Sequence, residues 1–160
     1  CAVASMVVVM LIANLLITPY YMGGGTTAAD IAAMIPTLLF LNAHATELGL
    51  RSSTQFFFAT GTLSSVLDNT PTALAFHTVA MGLADLSPLV AGVPEHLLKA
   101  IATAAVFFGA MTYIGNGPNL MVKAIAEEHR IKMPSFFSYI FKFSLVVLLP
   151  IYIVVQWLFF

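Results

Sequence analysis

The chain has 160 residues, of which 60% are hydrophobic and 8% charged, and its mean hydropathy is +0.97. A soluble domain carries about 25% charged residues, so six basic and seven acidic side chains are too few to cover the apolar surface of a water-soluble fold of this length. The formal net charge of −1 gives no basic footprint for nucleic acid, and the single cysteine, Cys1, excludes a disulfide framework or a cysteine-rich metal site. The composition is that of a membrane protein whose first partner is the lipid bilayer, and the segments that follow make the expected fold all-α.

The charges divide the chain into segments. Residues 2–22 are apolar for about 20 residues, the length of a transmembrane helix. They end in Tyr20 and Tyr21, residues of the membrane interface, ahead of the helix-breaking run Gly23-Gly24-Gly25-Thr26-Thr27. Cys1 is followed by no polar tether, and no basic region precedes the apolar run, so neither a lipoprotein nor a secretory signal fits. The chain is therefore expected to be a fragment of a longer protein, with a missing N-terminal half as a partner. A second transmembrane helix is expected over 30–48, opened by Asp30 and kinked at Pro36.

Between Arg51 and Asp85 lies a single charge, Asp68, at the centre. The apolar arms on either side are about 16 residues each, roughly 24 Å as helix, and fall short of a hydrocarbon core of roughly 30 Å. Short arms meeting at a polar, proline-containing knot predict a re-entrant helical hairpin over 53–84 rather than one long helix. A polar connector follows over Asp85–Lys99, with Pro88, Gly92 and Pro94. A broken transmembrane helix is expected over 95–128, interrupted by Gly115-Asn116-Gly117-Pro118-Asn119, and a last transmembrane helix over 134–160, with Pro150 inside it and Trp157 near its end. No soluble domain or long linker is visible, so residues 1–160 form one transmembrane domain.

The two interruptions share a grammar: Asn69-Thr70-Pro71-Thr72 in the hairpin and Asn116-Gly117-Pro118-Asn119 in the broken helix. Each reads as a helix stop and restart, with Thr70 or Gly117 as N-cap, proline in the first turn, and Gly115 in the left-handed conformation that ends a helix. Backbone groups freed inside a bilayer cost several kcal/mol each, so such breaks persist only in protein or around a hydrated cavity. An ion or substrate site is therefore expected from Asp68, Asn69, Thr70, Thr72, Gly115, Asn116, Gly117 and Asn119. The restarting helices would aim N–H groups at an anion, and the chain ends before them would offer free carbonyls to sodium. Asp68, Asn69 and Asn116 are the candidate sodium ligands, and Asp68 is a candidate proton carrier because intramembrane carboxylates are costly and functional.

Each of these residues also has an ordinary reading. Asp68 would cap the following helix or pair with a lysine elsewhere, and the asparagines would satisfy broken backbone. His77, about two turns beyond the knot, is a second candidate proton carrier, although packing is the ordinary role of such a histidine. His44, His96 and His129 share no metal-ligand spacing. Ser64 and Ser65 read as common membrane-helix packing material.

The run Ser64-Ser65-Val66-Leu67-Asp68-Asn69-Thr70-Pro71-Thr72 resembles the LDNxPT signature of the arsenite and sodium/proton antiporter-like (ArsB/NhaD-type) members of the ion transporter superfamily. The run from Phe107 to Ala126, with Gly115-Asn116-Gly117-Pro118-Asn119 inside it, resembles the matching second motif. Lys132-Met133-Pro134-Ser135-Phe136-Phe137 resembles the approach to the final helix in the citrate-transport branch. The resemblance covers most of the chain and implies the C-terminal inverted repeat of a secondary active transporter working by alternating access. Related carboxylate carriers use Ser-Asn-Thr at the hairpin tip. Asp68 stands where their serine would be, which favours a cation-binding tip. No Arg or Lys lies near either knot in sequence to neutralise citrate.

The leading expectation is sodium(cation):proton antiport, with Na+ or H+ as coupling ion and Asp68 exchanging the two. The rival is sodium- or proton-coupled citrate or dicarboxylate transport. A passive ion channel is the alternative of another class, since broken helices also build selectivity filters. No Ser/His dyad, HExxH motif or paired aspartates suggest an enzyme. The expected location is the bacterial inner (plasma) membrane, with a homodimer left open. The Lys123–Met133 loop, carrying Lys123, Arg130 and Lys132, is expected on the cytoplasmic side and the C-terminus outside.

Overall fold

A computed structural model describes residues 28–83 and 89–160. The span expected over 2–22, its glycine-rich end at 23–27 and positions 84–88 of the hairpin end and connector lie outside the described residues. Helix α1 runs Ala28–Ala43 with Pro36 inside it. A 3-10 turn over Ala45–Leu48 ends on Gly49, whose φ of +71° is the left-handed conformation that stops a helix. The α-helix thus ends five residues before the expected boundary.

Helix α2, Ser53–Ser64, begins with a capping box. The Gln55 N–H donates to Ser52 Oγ, and Gln55 Oε1 accepts from the Ser52 N–H at 3.1 Å. Helix α3, Asn69–Met81, follows after four residues. On a continuous helix, residues 56 and 76 would stand about 30 Å apart. Instead the rings of Phe56 and Phe76 meet edge to face at 6.3 Å, and Ser64 Oγ lies 2.8 Å from the Asn69 amide. The chain therefore turns back on itself between Ser64 and Asn69.

The connector contains a small β-hairpin that the all-helical reading does not anticipate. Strands β1 (Leu89–Val90) and β2 (Val93–Pro94) pair antiparallel, Leu89 opposite Pro94 and Val90 opposite Val93. Ala91 and Gly92, at φ 54° and 79°, make the two-residue turn with both central residues left-handed that suits strand twist. Pro94 then starts α4, Glu95–Phe108, so the last five residues of the polar connector form the first turn of a helix. A 3-10 turn, Gly109–Met111, extends α4 before the backbone opens at Thr112.

Helix α5, Gly117–Glu128, ends in paired bonds, Ile131 N–H to Ala126 O and Arg130 N–H to Glu127 O, with Arg130 at φ 62°. Helix α6 covers Phe136–Phe159 and is π-helical over Ile140–Leu148, where the Leu149 N–H reaches back five residues to Ser144 O. Pro150 follows directly. A proline ring collides with the carbonyl four residues back in an α-helix, and the wider π turn gives it room.

The core lies between α2, α3 and α4, where Phe56, Phe57, Phe76, Val79, Ile101 and Phe108 are fully or almost fully buried. Gly61 lets α2 and α4 close: a Cβ there would lie 2.5 Å from ring atoms of Phe108. Asn42 Nδ2 donates to Thr78 O at 3.2 Å and ties α1 to α3. Many large apolar side chains are also exposed on the outside. Helix α6 has a mean hydropathy of 2.1 over its most apolar stretch and only 11% of that stretch is buried; Trp157 is 79% exposed. Among the described residues it is the one helix long and apolar enough to cross a membrane. Such a surface is consistent with a membrane-spanning helix.

Candidate functional site

The hairpin turn and the second break touch. Thr112 Oγ1 donates to Ser65 O at the hairpin turn and accepts from the Gly115 N–H at 2.9 Å. Ser64 Oγ donates to Ala105 O at 2.6 Å. That hydroxyl has one proton, so the Asn69 amide is oriented to donate in return: its nitrogen lies 2.8 Å from Ser64 Oγ, 2.8 Å from Ala105 O and 3.2 Å from Gly115 O. Asn69 is the first residue of α3 and stitches it to the broken helix.

Two glycines allow this approach. A Cβ on Gly109 would run into the Asn69 amide. A Cβ on Gly115 would lie 2.8 Å from Gly109 O, 2.8 Å from Ser65 O and 2.9 Å from Ser64 O. The left-handed role expected for Gly115 is not what the structure has: Gly49 and Gly92 are the glycines with positive φ among the described residues. The absence of a side chain, not backbone freedom, is what position 115 requires.

The N-caps also differ from expectation. Asp68 and Asn116 occupy them, so Thr70 and Gly117 already lie inside the helices. Pro71 and Pro118 still fall where a missing N–H leaves no intrahelical bond unmade. The N–H groups of Asn69, Thr70 and Gly117 precede the first intrahelical bonds, those of Thr72 to Asp68 O and Asn119 to Asn116 O. The start of α3 meets the break two residues ahead of the start of α5, where the Asn69 amide reaches Gly115 O, and each start carries a partial positive charge.

The predicted residues divide by what they touch. Thr72 is buried and donates to Asp68 O at 2.9 Å, a bond within its own helix. Asn119 Nδ2 donates to Gly109 O at 2.8 Å and Thr112 O at 3.1 Å, satisfying the break. Asp68 and Thr70 are exposed, Asn116 is half-exposed, and neither Asp68 nor Asn116 caps its helix through its side chain. Gly117 faces open space. His77 is half-buried on α3, two turns beyond the start.

The carbonyls at the end of α4, expected to be free for sodium, are engaged. Tyr152 Oη donates to Phe107 O at 2.6 Å, Tyr139 Oη to Ala110 O at 3.0 Å and Ser144 Oγ to Met111 O at 2.5 Å. Asn119 takes those of Gly109 and Thr112. A helix that stops in an apolar medium must satisfy its last carbonyls, and here side chains of α6 do so. Tyr139, Ser144 and Tyr152 lie outside the motifs, and Ser64 and Thr112, although within the quoted runs, are not among the site residues expected from them. The available signal is their polarity within otherwise apolar segments.

No curated protein and no solved structure matches the chain. Residues 27–160 match the model of a family described as "Putative citrate transport", a stretch that includes both breaks and the whole of α6. The chain belongs to that family of membrane transport proteins.

Proposed function

We propose that this protein is a cation-coupled carrier of citrate or a related di- or tricarboxylate, with the substrate held where the hairpin turn meets the second break. The observation that carries this reading is the asymmetry of the breaks. The helix starts at Asn69 and Gly117 keep backbone donors, whereas the carbonyls of Phe107 and of Gly109 to Thr112 at the end of the preceding helix are bonded to Asn119 and α6. Donors with carbonyls withdrawn favour an anion over a bare cation, and each helix start is equivalent to roughly half a positive charge. The family match points the same way.

Asp68 supplies the coupling. Its carboxylate stands at the N-cap of α3, where its own charge would repel an incoming carboxylate. Sodium or a proton on Asp68 removes that repulsion, so anion and cation bind together. Thr70, Asn116 and Gly117 line the donor side, while Asn69, Thr72, Gly115 and Asn119 hold its shape.

A second reading, sodium:proton antiport of the ArsB/NhaD type, is favoured by the exposure of Asp68 without a side-chain cap bond. Radiolabelled citrate uptake and sodium-induced dissipation of a pH gradient, measured in vesicles holding the intact protein, separate the two. The carboxylate reading requires saturable, gradient-driven citrate accumulation. Proton movement on adding sodium with no citrate present, and no citrate uptake, would make the antiport reading the better one. Citrate flux that neither saturates nor follows a cation gradient would point to a channel.

A further inference from the structure

The π-helical segment of α6 aligns three side chains that a regular helix would scatter. Tyr139, Ser144 and Tyr152 are spaced by five and eight residues. In an α-helix, at about 100° per residue, their directions spread over about 220° of the circumference. Hydrogen bonds that close over five residues give about 4.4 residues per turn, or roughly 82° per step, through residues 140–148. With that step the three directions fall within about 60°. All three hydroxyls then reach carbonyls within five residues of one another, Phe107, Ala110 and Met111, at 2.6, 3.0 and 2.5 Å. Ser144 is fully buried at its bond, and Tyr152 almost so.

We infer that Tyr139, Ser144 and Tyr152 are positioning residues for the substrate site, and that the π segment exists to bring them into register. They touch no predicted site residue directly. They act through the break: by holding the carbonyls of residues 107–111 toward α6, they fix the strand that carries Thr112 and Gly115 and aim the start of α5. The inference rests on the reading that this break forms one side of the transport site. Losing one hydroxyl frees one carbonyl, which then competes for Asn119 or turns toward the site as a negative dipole. Either change weakens anion binding more than it slows turnover.

The test uses Tyr139→Phe, Ser144→Ala and Tyr152→Phe, singly and combined, in the intact protein reconstituted in vesicles. The tyrosine changes keep ring and packing, so they preserve the test should the serine change fold poorly. Amide hydrogen exchange is followed across residues 105–116 and, as an internal control, across α2 and α3. The expected result is exchange about tenfold faster at 109–116 in the combined variant, with the control helices unchanged. KM for citrate is expected to rise about three- to tenfold at a kcat within twofold of the parent, with Ser144→Thr recovering most of the loss. Unchanged exchange and unchanged KM in all variants would overturn the inference, as would equal loosening of α2 and α3, which marks a global packing role. Absence of citrate uptake by the parent is a failure of the carboxylate reading instead. KM is then read from sodium-driven proton movement, and in either case a KM unchanged in the combined variant overturns the inference.

Discussion

At the scale of single residues, the two asparagines at the helix starts have separate jobs despite identical chemistry. Asn69 is enclosed by three acceptors, whereas the Asn116 side chain makes no cap bond. Asn69→Ala strands Gly115 O, while Ala105 O keeps the Ser64 hydroxyl as its donor. Each buried unsatisfied group costs about 1–3 kcal/mol, so the thermal midpoint in detergent should fall clearly. Asn116→Ala should leave that midpoint within experimental scatter and raise the citrate KM several-fold; the reverse pattern would exchange their roles. Gly115→Ala tests close approach against backbone freedom. Alanine fits the φ of this position but brings a methyl against three carbonyl oxygens at 2.8–2.9 Å. Transport should fall at least tenfold and the midpoint should drop, a loss that a purely conformational glycine outside the left-handed region would not give. Position 115 is conspicuous in the sequence for another reason, because two of the three oxygens that exclude a side chain belong to Ser64 and Ser65, about 50 positions earlier.

At the scale of elements, the breaks were legible and the groups that support them were not. Asn, Gly and Pro clustered in apolar runs mark a helix stop wherever it occurs, since proline and glycine act on their own backbone. Tyr139, Ser144 and Tyr152 act on carbonyls 29–45 residues away in the chain. Their spacing matches no α-helical face, so no periodicity announces them. The same holds for Ser64, whose partner Ala105 O is 41 residues distant. Pro150 directly follows the π segment, where its ring would collide with the Val146 carbonyl in an α register, and its removal provides a prediction. With alanine at 150 the clash is gone and the α register becomes accessible. Pro150→Ala should therefore speed amide exchange at 109–116 while leaving α6 helical by circular dichroism. Unchanged exchange would mean that the π segment is held by its hydroxyl bonds and not by the proline.

At the scale of the whole molecule, composition already pointed to a lipid environment, and the exposed apolar surface of α6 gives that statement a location. What composition does not give is the sidedness. Positive-inside reasoning assigns the loop with Lys123, Arg130 and Lys132 to the cytoplasm and the C-terminus to the opposite side, so a C-terminal reporter active only in the cytoplasm should stay silent. Activity of that reporter would invert the assignment. The central claim is that anion and cation share the meeting point of the two breaks through Asp68. The most direct measurement is the dependence of citrate uptake on sodium and on pH in vesicles carrying the Asp68→Asn protein, compared with the parent. The amide keeps the shape of the N-cap and removes the charge that a cation must neutralise. The account predicts that the variant still binds citrate and equilibrates it, with a KM that no longer responds to sodium or pH, and cannot accumulate it against a gradient. Parent-like coupling in the Asp68→Asn protein, with KM still set by the cation, would contradict it.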